Sequence, residues 1–316
     1  ADATGAASLV WTRRYDRAGV AIDTAIKAAL AKRVSVESFN GKLIAEPWTM
    51  KTKSGGPFRV FTPFWRAVLA TKEPAAPLPA PRRIEAASQP EGAARLGDLG
   101  LLPVGPDWAG GLRATWTPGE KAAAERLAAF LDERVSVYAD QRDIPGVEGT
   151  SMLSPHLAFG EISPRQIRAA TRHAAAADPG KQRGCEKFLS EVGWREFSYN
   201  LLFANSDLAT KNVDARFDRF AWGSPDDRIL AAWRMGRTGY PIVDAGMREL
   251  WTTGYMHNRV RMIVASFLVK HLLTDWRVGE DWFWDTLCDA DPANNAASWQ
   301  WIAGCGADAA PYFRVF

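Results

Sequence analysis

At 316 residues the chain can bury a substantial core and hold more than one domain. It is 47% hydrophobic and 24% charged, ordinary for a soluble globular protein, and its longest apolar stretch, Met262 to Val269, is too short to span a bilayer. The net charge of +3 permits a nucleic-acid partner without demanding one, and no start resembling a secretory signal argues against a cytoplasmic location.

The first eighty residues read as a piece of an α/β layer. Ala7 to Val10 is strand-like, Ile22 to Leu30 helical, and Val34 to Phe39 with Leu43 to Ile44 strand-like again. From Glu73 to Pro106 a dense run of Pro, Gly and Ala carries no periodicity, which marks a linker. Helices dominate afterwards. Thr117-Pro118-Gly119-Glu120 has the order of an N-cap, a first-turn proline and a capping-box Glu, followed by Leu127, Phe130, Leu131 and Val135 at helical spacing. Ser163-Pro164-Arg165-Gln166 repeats the signal, and segments 185–204, 241–253 and 256–273 are helically periodic. The expected organisation is therefore α/β plus all-α: a partial Rossmann-like domain over 1–80, a linker over 81–116 and a mostly helical domain over 117–316. Cys185, Cys288 and Cys305 lack metal-ligand spacing and read as reduced, mostly buried thiols, so no metal is expected. Many of the 14 tryptophans are core residues on any reading, but aromatics interleaved with Arg and Lys also suit base stacking and electron relay.

Four segments carry chemistry. Thr150 to Ile167 (TSMLSPHLAFGEISPRQI) opens on hydroxyls and backbone N–H groups at a helix start, an anion cradle or simply an ordinary capped loop. In residues 188–202 (FLSEVGWREFSYNLL), Glu191, Trp194, Arg195 and Ser198 share one helical face. That face reads blandly as a surface ion pair with a packing tryptophan. Residues 236–276 hold Asn258 and Met262 one turn apart, and residues 285–316 hold Asp289, Asp291 and Asn295.

These segments together resemble the photolyase/cryptochrome family across nearly the whole chain, most like a class I cyclobutane pyrimidine dimer photolyase truncated at both ends. The resemblance implies an antenna domain ahead of a helical FAD-binding domain and light-driven repair of pyrimidine dimers in DNA by reduced, non-covalent FAD. It implies flavin contacts from Tyr138, Thr150, Ser151, Met152, Leu153, Ser154, Arg195, Arg261, Asp289, Ala290, Asp291 and Asn295, with Arg261 partnering Asp289. Asn295 is expected to face the flavin ring, where an amide can accept or donate. Glu191, Asn258 and Met262 are expected at the dimer; family members acting on the (6-4) photoproduct carry a histidine where Asn258 stands, and neighbouring His257 reads as structural. Trp194 and Trp301 are expected as stacking platforms, Arg195 and Ser198 beside them, with Arg142, Arg259 and Arg314 on DNA phosphate. Trp222, Trp276 and Trp299 match the family's electron relay, with Trp299 innermost. The stretch DRAGVAID after Tyr15 lacks the Asn-Glu pair of folate-binding members, so a folate antenna, a deazaflavin or none stays open. The chain is expected to be monomeric and to leave membranes alone. A blue-light sensor of cryptochrome type and a light-independent single-strand binding protein are the competing readings.

Overall fold

Ser8–Thr12 and Ser35–Phe39 pair in parallel, Ser8 opposite Ser35 and Thr12 opposite Phe39, and the helix Arg17–Leu30 makes the crossover that parallel strands require. A computed structural model describes residues 2–72, 78–79, 81–86 and 88–309. The first helix begins five residues before the expected Ile22, because the Asp16 carboxylate caps it by accepting from the Gly19 amide at 2.7 Å.

Leu43 and Ile44 are not a strand. They lie almost fully buried, and side chains rather than a ladder satisfy their backbone: the Glu196 carboxylate accepts from Ile44 N at 2.8 Å, and Arg165 donates to the Leu43 carbonyl at 3.1 Å. Residues from Tyr15 to Val68 also share one apolar core with Phe130, Phe188, Val192 and Phe197. Tyr15 and residues from Leu43 to Val68 thus pack into the same core as the helices that follow. The expected linker in turn ends in a helix, Gly110–Thr115, packed on the helix Pro241–Thr253 so closely that a Cβ at Gly111 would lie 2.0 Å from the Thr252 carbonyl oxygen.

The helix start at Thr117 falls later than expected. Gly119 takes φ +111, which no helical residue can, so the helix runs Glu120–Ala129 and continues as a π-helical turn, Phe130–Arg134. Ser163 does what its motif promises: its hydroxyl accepts from Gln166 N at 3.2 Å while the Gln166 side chain accepts from Ser163 N at 2.8 Å, starting the helix Pro164–Ala177. The periodic segments become Gln182–Ala204, Pro241–Thr253 and Asn258–Ser266, and the helices Trp276–Thr286 and Asn294–Ala303 complete a second core around Trp233, Trp276 and Trp299. The result is the α/β plus mostly helical architecture expected. Among the described residues no helix is long and apolar enough to cross a membrane.

Glu196 stitches the early loop to the long helix Gln182–Ala204 from a wholly buried position, with Arg195 Nη1 3.6 Å from its second oxygen. Burial pushes its carboxyl from 4.5 up to about 7, against the opposing pull of Arg195 and the two backbone amides. A raised folded value means that its contribution to stability is complete below pH 4.5 and is lost as pH rises towards 7. Urea unfolding between pH 5 and 7 should therefore lose up to about 1.4 kcal/mol per pH unit through this group. Glu196→Gln, which still accepts from the amides but cannot ionise, should flatten the slope by that amount; an unaltered slope refutes the assignment.

Candidate functional site

Where the two cores meet, the helices leave a cavity of about 700 Å³, within the range of small-molecule sites. One wall is the turn from Thr150 to Ser154. Met152 there holds φ +50, a left-handed conformation that costs a non-glycine residue about 1–2 kcal/mol and that clusters at functional sites. The turn leads into the helix Ser154–Phe159, and Thr150, Ser151, Met152, Leu153 and Ser154 all border the space.

A second wall is the loop before the helix Asn294–Ala303. Asp289 takes both ends of the Arg261 guanidinium, at 3.0 and 2.8 Å, and the Ser154 hydroxyl at 2.6 Å, so one carboxylate ties three segments together. Asp291 accepts from the Tyr199 hydroxyl at 2.5 Å and from the amides of Ala293 and Asn294, which starts that last helix. Burial first, and the Asp291 charge next, push the Tyr199 phenol up, so it stays a donor. Ala290 and Asn295 border the same space.

The long helix supplies the third wall. Glu191, Trp194, Arg195 and Ser198 all line the cavity, as their spacing predicts. Glu191 is held by Arg142 and by Lys187 Nζ at 2.9 Å. Trp194 lies flat on Phe61, ring centroids 3.9 Å apart and planes 8° from parallel, so only its other face remains for a guest. Arg195 donates to the Lys42 carbonyl at 2.7 Å and lies over the Tyr199 ring, while its Nη2 is buried without a partner. Ser198 donates to the Trp194 carbonyl. Tyr138, beside Phe130 and Phe188, adds an apolar face whose phenol burial pushes up.

Asn258 and Met262 stand one turn apart at the rim, the amide 3.9 Å from the thioether, with Asn258 exposed. His257 caps their helix, its Nδ1 accepting from Arg259 N at 3.2 Å, which is the structural role expected. Arg259 is partly exposed and bound to Asp143 at 2.8 Å. Arg142, expected on DNA phosphate, keeps only 11% of its side chain exposed and is turned inward to Glu191; a phosphate would have to enter the cavity to meet it. Trp301 lines the cavity, half-buried. Trp299 borders it from the second core, where Trp276 is fully buried and Trp222 packs at the edge. Arg314 lies outside the described residues.

Sequence reasoning missed Lys187, Asp143, Tyr255 and Phe61. The i,i+4 spacing of Lys187 to Glu191 was the one local signal available; Phe61 reaches Trp194 from 133 residues away by tertiary packing alone.

The residues fit the expected FAD. The cavity combines hydroxyls and a strained turn, a bidentate Arg–carboxylate pair, apolar lining residues Ile167, Val192 and Phe283, and Arg195, whose Nη2 is a buried donor without a hydrogen-bond partner. Among the described residues no cluster of His, Cys, Asp and Glu could hold a metal ion.

Residues 188–316 match the FAD binding domain of DNA photolyase, and residues 1–82 match DNA photolyase. The chain is 52% identical to a deoxyribodipyrimidine photo-lyase of Agrobacterium fabrum over 99% of its own length and 65% of the relative's. It is 37% identical to cryptochrome-2 of Arabidopsis thaliana over 95% of this chain and 51% of that one. Among solved structures it resembles a bacterial class III photolyase from Agrobacterium tumefaciens with a TM-score of 0.94 at 51% identity, covering 99% of this chain and 64% of that chain. The chain thus spans just under two thirds of the length of these photolyase relatives.

Proposed function

The chain belongs to the DNA photolyase/cryptochrome family, and from that premise we propose that it repairs cyclobutane pyrimidine dimers in DNA by light. The observation that carries the reading is one cavity bordered at once by the Thr150–Ser154 turn, the Arg261–Asp289 pair and the Glu191–Trp194 face. Bound there, FAD would supply a light-driven electron for opening the two C–C bonds of the dimer and would recover it afterwards, chemistry of a lyase without net redox change. The protein's own work is positioning. Thr150, Ser151 and Arg195 offer donors to the cofactor's phosphates, and Asp289, accepting from both Arg261 and Ser154, keeps its loop in place. Trp194, backed by Phe61, receives one face of the extruded dimer. Extrusion costs a few kcal/mol, less at a damaged step, and stacking at about 1–3 kcal/mol per base offsets it. Glu191, its charge balanced by Arg142 and Lys187, accepts from base N–H groups, with Asn258 and Met262 at the rim. Trp299, Trp276 and Trp222 form the proposed path for electrons from solvent to the cavity, since indole is readily oxidised.

As to subclass, the likeness to a class III photolyase at 51% identity favours that assignment over class I. Higher identity to the photo-lyase than to the cryptochrome favours repair over sensing. The test is anaerobic illumination of the reduced protein with dimer-containing oligothymidine. Recovery of thymine absorbance is expected. A flavin-loaded protein that leaves the dimers intact would falsify repair, and one purified without a visible flavin spectrum would overturn the cofactor reading as well.

A further inference from the structure

The helix Phe61–Leu69 begins without a cap of its own. Val60, at the cap position, makes no side-chain hydrogen bond, and the first turn carries no acid. The missing acceptor comes from 247 residues away, where the Asp308 carboxylate accepts from Phe61 N at 3.0 Å. A carboxylate there also faces the positive end of the helix dipole. Asp308 reaches it from a left-handed backbone, φ +51, a conformation that aspartate tolerates better than most residues.

Phe61 is both the first residue of that helix and the ring on which Trp194 lies. Trp65, one turn on, stacks with Phe61 at 6.5 Å and 11° from parallel. Its ring fills the space next to Gly193, the residue before Trp194, where a Cβ would fall 2.6 Å from it. Phe197 meets Phe61 and Trp194 edge-on, at 6.1 and 5.9 Å. The flat support of Trp194 therefore comes from Phe61, and the position of Phe61 depends on how firmly the helix start is held.

We propose that Asp308 is a positioning residue for damage recognition: by capping the helix Phe61–Leu69 it fixes Phe61, and through Phe61 the plane that Trp194 offers to an extruded base. The inference rests on the stacking role proposed for Trp194. Uncapped helix ends fray, and fraying here begins at the residue that carries the stack.

The readout is the ratio of affinities for dimer-containing and undamaged duplex, because a general loss of fold lowers both together. Asp308→Gly removes the carboxylate at a backbone conformation that suits glycine, so no strain is added. It should lower the ratio about three- to tenfold, the worth of one helix cap. Asp308→Asn keeps an acceptor and tolerates the same conformation, and should hold the ratio within about twofold of the parent. Both variants lose the same charge, so a general electrostatic change in DNA binding is shared between them. In a Trp194→Ala background, Asp308→Gly should add nothing, since its effect passes through that ring. Where Asp308→Gly fails to fold by circular dichroism, Phe61→Leu tests the same route from its other end, and parental discrimination in it overturns the inference. So does a Gly variant with the parental ratio, an Asn variant as poor as the Gly one, or a full further loss on top of Trp194→Ala, each while the stacking role of Trp194 stands. A Trp194→Ala protein that keeps its discrimination overturns both.

Discussion

Asp289→Ala is expected to weaken flavin retention by about thirty- to a thousandfold. The carboxylate keeps 3% of its side chain exposed and holds both ends of Arg261 as well as the Ser154 hydroxyl. Removing one partner of a buried pair typically costs 3–5 kcal/mol, chiefly because the other charge is left uncompensated. Arg261 keeps 24% of its side chain exposed, so water recovers part of that, and about 2–4 kcal/mol remains. The loss falls on flavin rather than on the fold alone, since the broken contacts join segments that border the cavity. Asp289→Asn, which can still accept from Ser154 or from one Arg261 nitrogen, should fall between the parent and the Ala variant. Flavin per protein after gel filtration, read from absorbance, and the thermal midpoint are the two measurements. An Ala variant that keeps full flavin occupancy removes Asp289 from the site.

The sequence was readable where a signal is local. The Ser163 capping box closes within four residues, and the Glu191–Ser198 face follows from helical period alone, so both appear in the structure as expected. The Arg261–Asp289 pair spans 28 residues and came from family resemblance, not from spacing. What stayed hidden are pairings that neither period nor propensity encodes. Glu196 satisfies the amides of Ile44 and Ala45 across about 150 residues, and without that partner Leu43-Ile44 looks like any apolar strand fragment. Glu280 looks like one more surface acid of a helix until the packing of two helices sets it under Asn295. Composition likewise gives no sign that Phe61 and Phe64 pack beside Phe197, with Phe58 against Phe64.

Phe61 also sharpens the test that separates damage recognition from general affinity for DNA. Because Trp194 is already stacked on Phe61 at 3.9 Å, its free face is rigid before any base arrives, and little entropy is lost on stacking. Trp194→Ala should therefore lose roughly ten- to a hundredfold in affinity for dimer-containing duplex, the worth of one base stack. Binding to undamaged duplex should hardly change, since no base is extruded there. Arg259 stands at the rim, 39% exposed and paired with Asp143 at 2.8 Å. Arg259→Ala should weaken both duplexes alike and lower the salt slope by about one; the effect is tempered because the Asp143 contact competes with phosphate. If Trp194 served only to cover Phe61, its loss would open a hole in the core, lower the thermal midpoint and depress binding to both duplexes together. Trp194→Phe distinguishes the two accounts further, since a smaller ring can still lie on Phe61 and still stack. Titrations of the three variants against both duplexes at two salt concentrations decide the matter, and an equal loss on damaged and undamaged DNA for Trp194→Ala would sink the stacking role.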